Sequence, residues 1–274
     1  MKKFYKIMGI ITGALLICGI IFAGVGIGMG GLNHTFKNSK YNLVINPTLN
    51  EKEYTVLDEF DTVDLTVSLA DVQIIKGDEF AIEYVLYGEA EYSVDNGIFV
   101  LNEENNNWIN VGLSLKTEKT YIKLYVPGDC ILNIRNITAD MGAVTISGIE
   151  FTDMNIGADM GEVNLDNITV QNLDVHAGMG KVYFNGTATG KICIAADMGD
   201  IELKGYLGCD IEVDSDMGAV DITTYYNKDS YRYDISTDMG SEEINDKGGE
   251  KTNKNYTIDI DCDMGDAVVT FTNP

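Results

Sequence analysis

Histidine and proline are scarce in this chain, and basic residues are far outnumbered. His34 and His176 are the only histidines. They lie far apart in sequence without evident partners, so neither an imidazole base nor a histidine metal site is suggested. None of the five cysteines forms a C-x-x-C pair, which argues against a zinc ribbon or a dithiol redox motif. Cys18 falls in an apolar run, Cys193 at an outward strand position and Cys262 at an inward one. Cys193 and Cys209 differ in offset by about three strand positions, roughly 10 Å, which is beyond disulfide reach. Lys and Arg number 19 against 43 Asp and Glu, a formal net charge of −24. A nucleic-acid partner is therefore not expected, since phosphate contacts need Lys and Arg. Three prolines beside 29 glycines suit a β-rich chain with many turns.

What the chain does have is a repeat. Asp140-Met141-Gly142 recurs at Asp159-Met160-Gly161, Gly178-Met179-Gly180, Asp197-Met198-Gly199 and Asp216-Met217-Gly218, each 19 residues after the last. Asp238-Met239-Gly240 follows 22 residues on, and Asp263-Met264-Gly265 a further 25. Count the Asp (or Gly178) as position zero. Position −1 is small, position −3 is Ile or Val, and position −5 is large and apolar except for Arg135. After the turn, positions +4 (Val144, Val163, Val182, Ile201, Val220) and +6 (Ile146, Leu165, Phe184, Leu203, Ile222) resume the alternation. Period 2 means strands with one buried face. A unit of this length cannot bury that face alone, whereas stacked units can. The expected fold is all-β: a β-solenoid of about 19-residue coils, with inward positions about 4.8 Å apart from coil to coil. The last two copies break at +4, where Glu242 and Ala267 stand, and insertions at Tyr225–Tyr231 and Ser241–Asn255 lengthen two return loops.

The turn residues are read as structural. Gly142, Gly161, Gly180, Gly199, Gly218, Gly240 and Gly265 permit positive φ. Asp140, Asp159, Asp197, Asp216, Asp238 and Asp263 are expected to accept hydrogen bonds from turn amides. Met141, Met160, Met179, Met198, Met217, Met239 and Met264 are expected to fill the corner of the core. A thioether stripe is also the ligand chemistry of copper(I), but packing is the commoner use. The acidic columns read as a solvated face. The alternative is weak divalent cation binding, for instance calcium, at Glu212, Asp214, Asp216, Asp234, Asp259 and Asp261. No residue is assigned to catalysis or to a cofactor.

The N-terminus differs in kind. Lys2, Lys3 and Lys6 precede the uncharged stretch Ile7–Gly31, which is long enough to span a bilayer. The expected layout is a cytoplasmic basic tip and single transmembrane helix over 1–31, then, outside the cell membrane, a polar stalk over 32–55, an irregular β-rich part over 56–129 and the regular solenoid over 130–274. A cleaved signal peptide is the other reading, although no Ala-x-Ala site stands out. Within the irregular part, Val94-Asp95-Asn96-Gly97-Ile98 signals a tight hairpin. Tyr121–Val126 reads as a strand ending at Pro127-Gly128-Asp129, and Leu69-Ala70-Asp71-Val72 echoes the later turn without its Met-Gly.

The Asp-Met-Gly repeats, the Ala-Asp-Val stretch before them and the N-terminal anchor resemble the bacterial "putative adhesin" family of β-strand-repeat proteins, a domain of unknown function. The resemblance covers roughly residues 56–274 and implies a β-solenoid exposed at the cell envelope, with no catalytic residues to carry over. The expected function is a non-catalytic binding or adhesion surface whose partner is an envelope protein or a surface glycan. The alternatives are a regulatory partner of a membrane protein in envelope stress signalling and, further off, a polysaccharide-active enzyme. Against the enzyme stands the pattern itself: Asp comes once per coil at a turn, not as a local constellation in a cleft.

Overall fold

The computed structural model describes Gly19 and residues 35–38, 41–44, 49–87, 90–103, 108–110, 119–245 and 255–272. In chain order its strands begin with β1 Thr35–Asn38, β2 Tyr41–Val44, β3 Leu49–Val56, β4 Thr62–Val67, β5 Asp71–Gly77, β6 Ala81–Tyr87, β7 Ala90–Asp95, β8 Ile98–Glu103, β9 Trp108–Asn110 and β10 Tyr121–Pro127. The repeats supply β11 Ile131–Met141, β12 Val144–Ser147, β13 Glu150–Met160, β14 Val163–Met179, β15 Val182–Met198 and β16 Ile201–Leu207. The chain ends through β17 Asp210–Met217, β18 Val220–Thr224, β19 Tyr231–Met239, β20 Glu242–Asn245, β21 Tyr256–Met264 and β22 Ala267–Phe271.

Two compact units result. One comprises residues 1–48 and 105–118. In it β1 pairs antiparallel with β2, and β2 pairs parallel with β9. The other unit, residues 49–104 and 119–274, holds a single sheet of 19 strands. The apolar stretch read as a membrane span lies, but for Gly19, outside the described residues, as does His34. Among the described residues no helix is long and apolar enough to cross a membrane.

The large sheet is coiled, and the 19-residue period is its register. Val163 pairs parallel with Val182, Leu165 with Phe184, Val175 with Ile194 and Ala177 with Ala196. Each of these partners is 19 residues away, so like residues stack on like. In one coil, Val163 and Leu165, then Ile168 and Val170, then Leu173, Val175 and Ala177 are all buried. Alternation holds inside each group and slips by one residue between groups. Irregularities in the β14–β15 register fall at those slips, between Asp166 and Ile168 and between Val170 and Asn172. Each coil thus has three sides, with the Met-Gly turn at the third corner. Neighbouring coils bury one another's apolar faces, which is why no coil is stable alone.

At the N-terminal end, β4 and β5 form a further rung of the same stack. β4 pairs parallel with β11, and β5 with β12. Met141 donates its amide to the Ser68 carbonyl, and Val72 donates to that of Ala143. The Ala-Asp-Val echo is therefore a turn in register with the later ones. Beyond it the sheet becomes mixed. β8 pairs parallel with β4, and the β7–β8 hairpin closes through Asn96 (φ 51°) and Gly97 (φ 77°), the two positive φ values a tight hairpin requires. β10 runs Tyr121–Pro127 as expected, parallel to β5 and antiparallel to β6. β3, which overlaps the stretch of stalk-like composition, pairs antiparallel with β6.

At the C-terminal end chain order and stacking order part company. β17 pairs not with β19 but with β21, and β19 then pairs with the far side of β21. On the adjoining side, β18 pairs with β22, and β20 lies beyond β22. The sixth coil skips a place and the seventh returns to fill it. The side chains explain the exchange. β22 puts Ala267, Val269 and Phe271 inward beneath Val220, Ile222 and Thr224. β20 carries Glu242 at the position of Ala267, and at the edge it leaves that carboxylate exposed. A lone charge inside the stack would cost far more. The spacings of 22 and 25 residues are the extra chain this detour uses. Tyr231, fully buried, anchors the detour: its hydroxyl donates to the Leu207 carbonyl, and its ring lies 5.7 Å from Tyr256 and 5.8 Å from Phe271.

Candidate functional site

The repeated turn is one continuous column. Met141 pairs with Met160, Met160 with Met179, Met179 with Met198 and Met198 with Met217. Met217 then meets Met264, and Met264 meets Met239. The turns are bonded to each other along the stack. Gly142 donates its amide to the Met160 carbonyl, Gly161 to Met179 and Gly180 to Met198 (3.1, 2.9 and 2.9 Å). The same bond continues through Gly199, Gly218 and Gly265 to Met217, Met264 and Met239.

This geometry corrects the reading of the glycines. Positive φ is part of the reason, as at Gly180 (φ 144°). Yet Gly161 and Gly240 have no such φ, and a Cβ on either would still run into the carbonyl oxygen of the neighbouring rung's glycine, Gly142 or Gly265. Close approach of backbone to backbone is what the whole column requires.

The aspartates need a correction too. Asp159, Asp197, Asp216, Asp238 and Asp263 are exposed, and Asp140 is half-buried. Among the described residues no turn amide donates to any of the six. The carboxylates that cap turn amides belong to position +3 or its equivalent and, in the Leu69-Ala70-Asp71 turn, to the buried Glu103, which accepts from the Ser68 and Leu69 amides (2.6 and 3.3 Å). Asp71 accepts from the Ala143 amide (2.9 Å), Asp200 from Ala219 (3.0 Å) and Asp266 from Ser241 (2.8 Å). Each reaches across to the next rung. Sequence reasoning missed them because position +3 also holds Ala143, Glu162 and Lys181, so the column shows no consensus.

The largest correction concerns methionine. The seven turn side chains are not core. Six of them are between 39% (Met217) and 44% (Met141) exposed, and Met239 on the edge rung is 65% exposed. The difference measures how far neighbouring rungs cover one another. Among the described residues Met239 has a neighbouring rung on one side only, and the others have one on both. A stripe of methionines therefore runs along one corner of the stack, open to water, between the aspartate column and the glycine backbone.

Beside it the acids of the last coils are crowded. Glu212, Asp259 and Asp234 lie in one ladder, with Asp259 in the middle, and Asp214 lies next to Asp261. Lost hydration raises the Asp259 carboxyl above its ordinary value, and the charges of Asp234, Glu212 and Asp261 add to this. Asp263 is raised in the same way, by desolvation and then by Asp238 and Asp216 on either side. Glu212 alone is relieved. Lys191 donates to it at 2.7 Å and lowers its pKa. Among the described residues no three carboxylate, imidazole or thiol groups converge as metal ligands would.

The remaining candidates are dispersed. His176 lies 3.4 Å from Asp174 on the surface, a partner the sequence did not reveal. Cys130, Cys193, Cys209 and Cys262 are all free, and burial pushes the Cys209 thiol up to about 12. An open groove of about 690 Å³ lies among loops of the mixed-sheet end, where Glu59, Asp61, Asp78 and Asp129 surround Phe60 and Phe80. Both rings are largely buried, so the groove offers an acidic rim with little aromatic floor.

Comparison with known proteins agrees with the coil. The family model described as Toastrack DUF4097 matches residues 60–270. Among solved structures, a "putative adhesin" from Bacteroides fragilis superposes with a TM-score of 0.52 at 16% identity, covering 83% of this chain and 98% of that one. A "putative cell adhesion protein" from Clostridium sporogenes aligns over 83% of this chain and all of its own length, with a TM-score of 0.38 at 12% identity. A "putative adhesin" from Parabacteroides merdae aligns over 83% and 98%, with a TM-score of 0.45 at 11% identity. No functionally curated protein matches.

Proposed function

Because the chain belongs to the Toastrack family DUF4097, the family whose resemblance its repeats carry, we propose that it is a non-catalytic binding or adhesion module at the cell envelope. In this reading Ile7–Gly31 is a membrane anchor with Lys2, Lys3 and Lys6 in the cytoplasm, and the coiled sheet stands outside as a rigid stack. The observation that supports a binding role is the exposed methionine column. A solenoid needs its inward Ile, Val and Leu to fold, but it gains nothing in core packing from seven large side chains left in water. Contiguous exposed apolar surface marks an interaction site, and methionine suits an adaptable one. The net charge of −24 favours partners that are neutral or cationic over nucleic acid.

The test has two steps on cells making the full-length chain with a C-terminal tag. Protease added to intact cells should remove the tag if the domain is outside. Loss of the tag only after lysis would contradict the envelope reading. A photocrosslinking residue in place of Asp197, beside Met198, should then capture a partner. Wall polymer or foreign surface material supports adhesion. A single membrane protein of the same cell supports the regulatory alternative instead. Capture no greater than with the same residue placed at Asn185, on a different side of the coil, would sink the methionine corner as the binding surface.

A further inference from the structure

The turn methionines have a second property that adhesion does not use. Their backbones are stacked at the repeat of the sheet. Rungs are about 4.8 Å apart, and all seven methionines pair in register with a methionine on the next rung. A zinc–thiolate bond is about 2.3 Å, so two thioethers on opposite sides of a soft ion of that size or somewhat larger stand roughly 5 Å apart, close to the rung spacing. We propose that the methionine column binds soft monovalent cations, Cu(I) or Ag(I), each held between thioethers of neighbouring rungs.

Three observations carry this. First, the methionines reach water, since these residues are between 39% and 65% exposed. Unbranched methionine can swing its sulfur along the column without moving backbone. Second, the column runs beside carboxylates that repel one another. Asp216, Asp263 and Asp238 occupy consecutive rungs next to Met217, Met264 and Met239, one carboxylate to a rung. A cation at the thioethers relieves that repulsion without needing the carboxylates as ligands. Third, the thiols that would compete are poor ligands. Cys209 and Cys262 are both fully buried, and the half-buried Cys130 and Cys193 are removed in the test below. Thioethers select soft ions over calcium or magnesium, so this is a different site from the divalent one weighed on the acidic face. The ion binds as the monovalent species and stays so, and no electron or proton is exchanged. If two or three rungs hold each ion, seven rungs hold about three.

The absence of a proton on the ligand gives the sharpest test. Thiolate and imidazole sites weaken in acid because the proton competes with the metal, whereas a thioether site does not. The protein is the full-length chain in detergent with Cys18→Ser, Cys130→Ser and Cys193→Ser, titrated calorimetrically with silver nitrate in halide-free buffer. The expected result is about three ions bound, with the same stoichiometry retained between pH 7 and pH 5. Adding Met160→Leu, Met179→Leu and Met198→Leu keeps the apolar bulk and should leave about one ion on the Met217–Met264–Met239 run. Met198→Leu alone splits the column into two runs of three and should leave about two. That variant guards against misfolding of the triple one, and melts by circular dichroism should overlay the parent. Equal stoichiometry in parent and variants, or loss of binding at pH 5, would overturn the proposal.

Discussion

The middle of the solenoid and its C-terminal end are built from the same turn, yet they obey different rules. From β11 to β18 the chain advances one rung per 19 residues and every coil lies on its predecessor. In the last two coils the turn is unchanged, Asp-Met-Gly each time, but the seventh coil slips beneath the sixth. Turn and column therefore do not decide which coil follows which. The turn needs only some neighbour with a glycine at close approach and a methionine carbonyl to accept its amide. Order is decided by the sides of the coil, where Ala267 tolerates being sandwiched and Glu242 does not. The +4 and +8 positions of the post-turn segment sort the two coils, Ala267 and Phe271 in one against Glu242 and Asp246 in the other.

That difference can be broken most severely by exchanging the two residues. Ala267→Glu buries a carboxylate beside Val220 and should cost about 4 kcal/mol, while Glu242→Ala, at the edge, should stay within about 0.5 kcal/mol. Chemical denaturation of the full chain followed by circular dichroism reads both. Similar losses in the two variants would mean that edge and interior are not distinguished. The next effect is steric. Gly180→Val drives a side chain into the Gly161 carbonyl from a rung fixed on both faces, and should cost about 3 kcal/mol. Gly240→Val meets the Gly265 carbonyl from the edge rung, which has a described neighbour on one face only and can tilt away, so its thermal melt should shift by less than half as much.

The smallest effect is electrostatic, and it has opposite sign in two regions. Asp259 and Asp263 are raised, so their contribution to stability is fully present below the ordinary aspartate value and is lost as pH rises through their elevated values. Acidification from pH 7 toward the ordinary carboxylate range should therefore slow hydrogen exchange in β21, after correction for intrinsic rates. Glu83 in β6 is lowered, first by its hydrogen bond from Lys123 at 2.6 Å. Its contribution is present above the ordinary glutamate value and is lost as pH falls through its depressed value, so β6 should gain nothing over the same interval. Faster exchange in β21 on acidification would remove like-charge crowding from the description.

Much of this was legible in the residues. The period set the register, and the alternation of Val163, Leu165, Val175 and Ala177 set the inward face. Asn96-Gly97 set the hairpin. The order of the last coils was not read, because Ser215, Thr237 and Cys262 are all small and Val213, Ile235 and Ile260 are all β-branched. The discriminating residues lie after the turn, Glu242 and Asp246 against Ala267 and Phe271, and a break in alternation does not by itself say which coil is displaced. The exposure of the methionines was hidden by parity. Inward positions are odd before the turn (−5, −3, −1) and even after it (+4, +6), so the phase flips within it. Extending the first strand's phase to +1 pointed methionine inward, whereas the chain has already turned at the aspartate. The amide-capping Asp71, Asp200 and Asp266 were missed because a cap that reaches across rungs leaves no pattern within one repeat.

The exchanged order of the last two coils is tested most directly by one crosslink. Ser215 in β17 pairs with Cys262 in β21, and Cys262 pairs in turn with Thr237 in β19. In the structure, positions 215 and 262 are one rung apart, about 4.8 Å, and positions 215 and 237 are two rungs apart, about 9.6 Å. Were the coils stacked in chain order, these two distances would be exchanged. A disulfide cannot bridge much more than about 7 Å between Cα atoms. Ser215→Cys with the native Cys262 should therefore oxidise to an internal disulfide, seen as a linked peptide pair by mass spectrometry, while Ser215→Cys with Thr237→Cys and Cys262→Ser should stay reduced. The reverse outcome would place the sixth coil directly on the fifth and contradict the exchange.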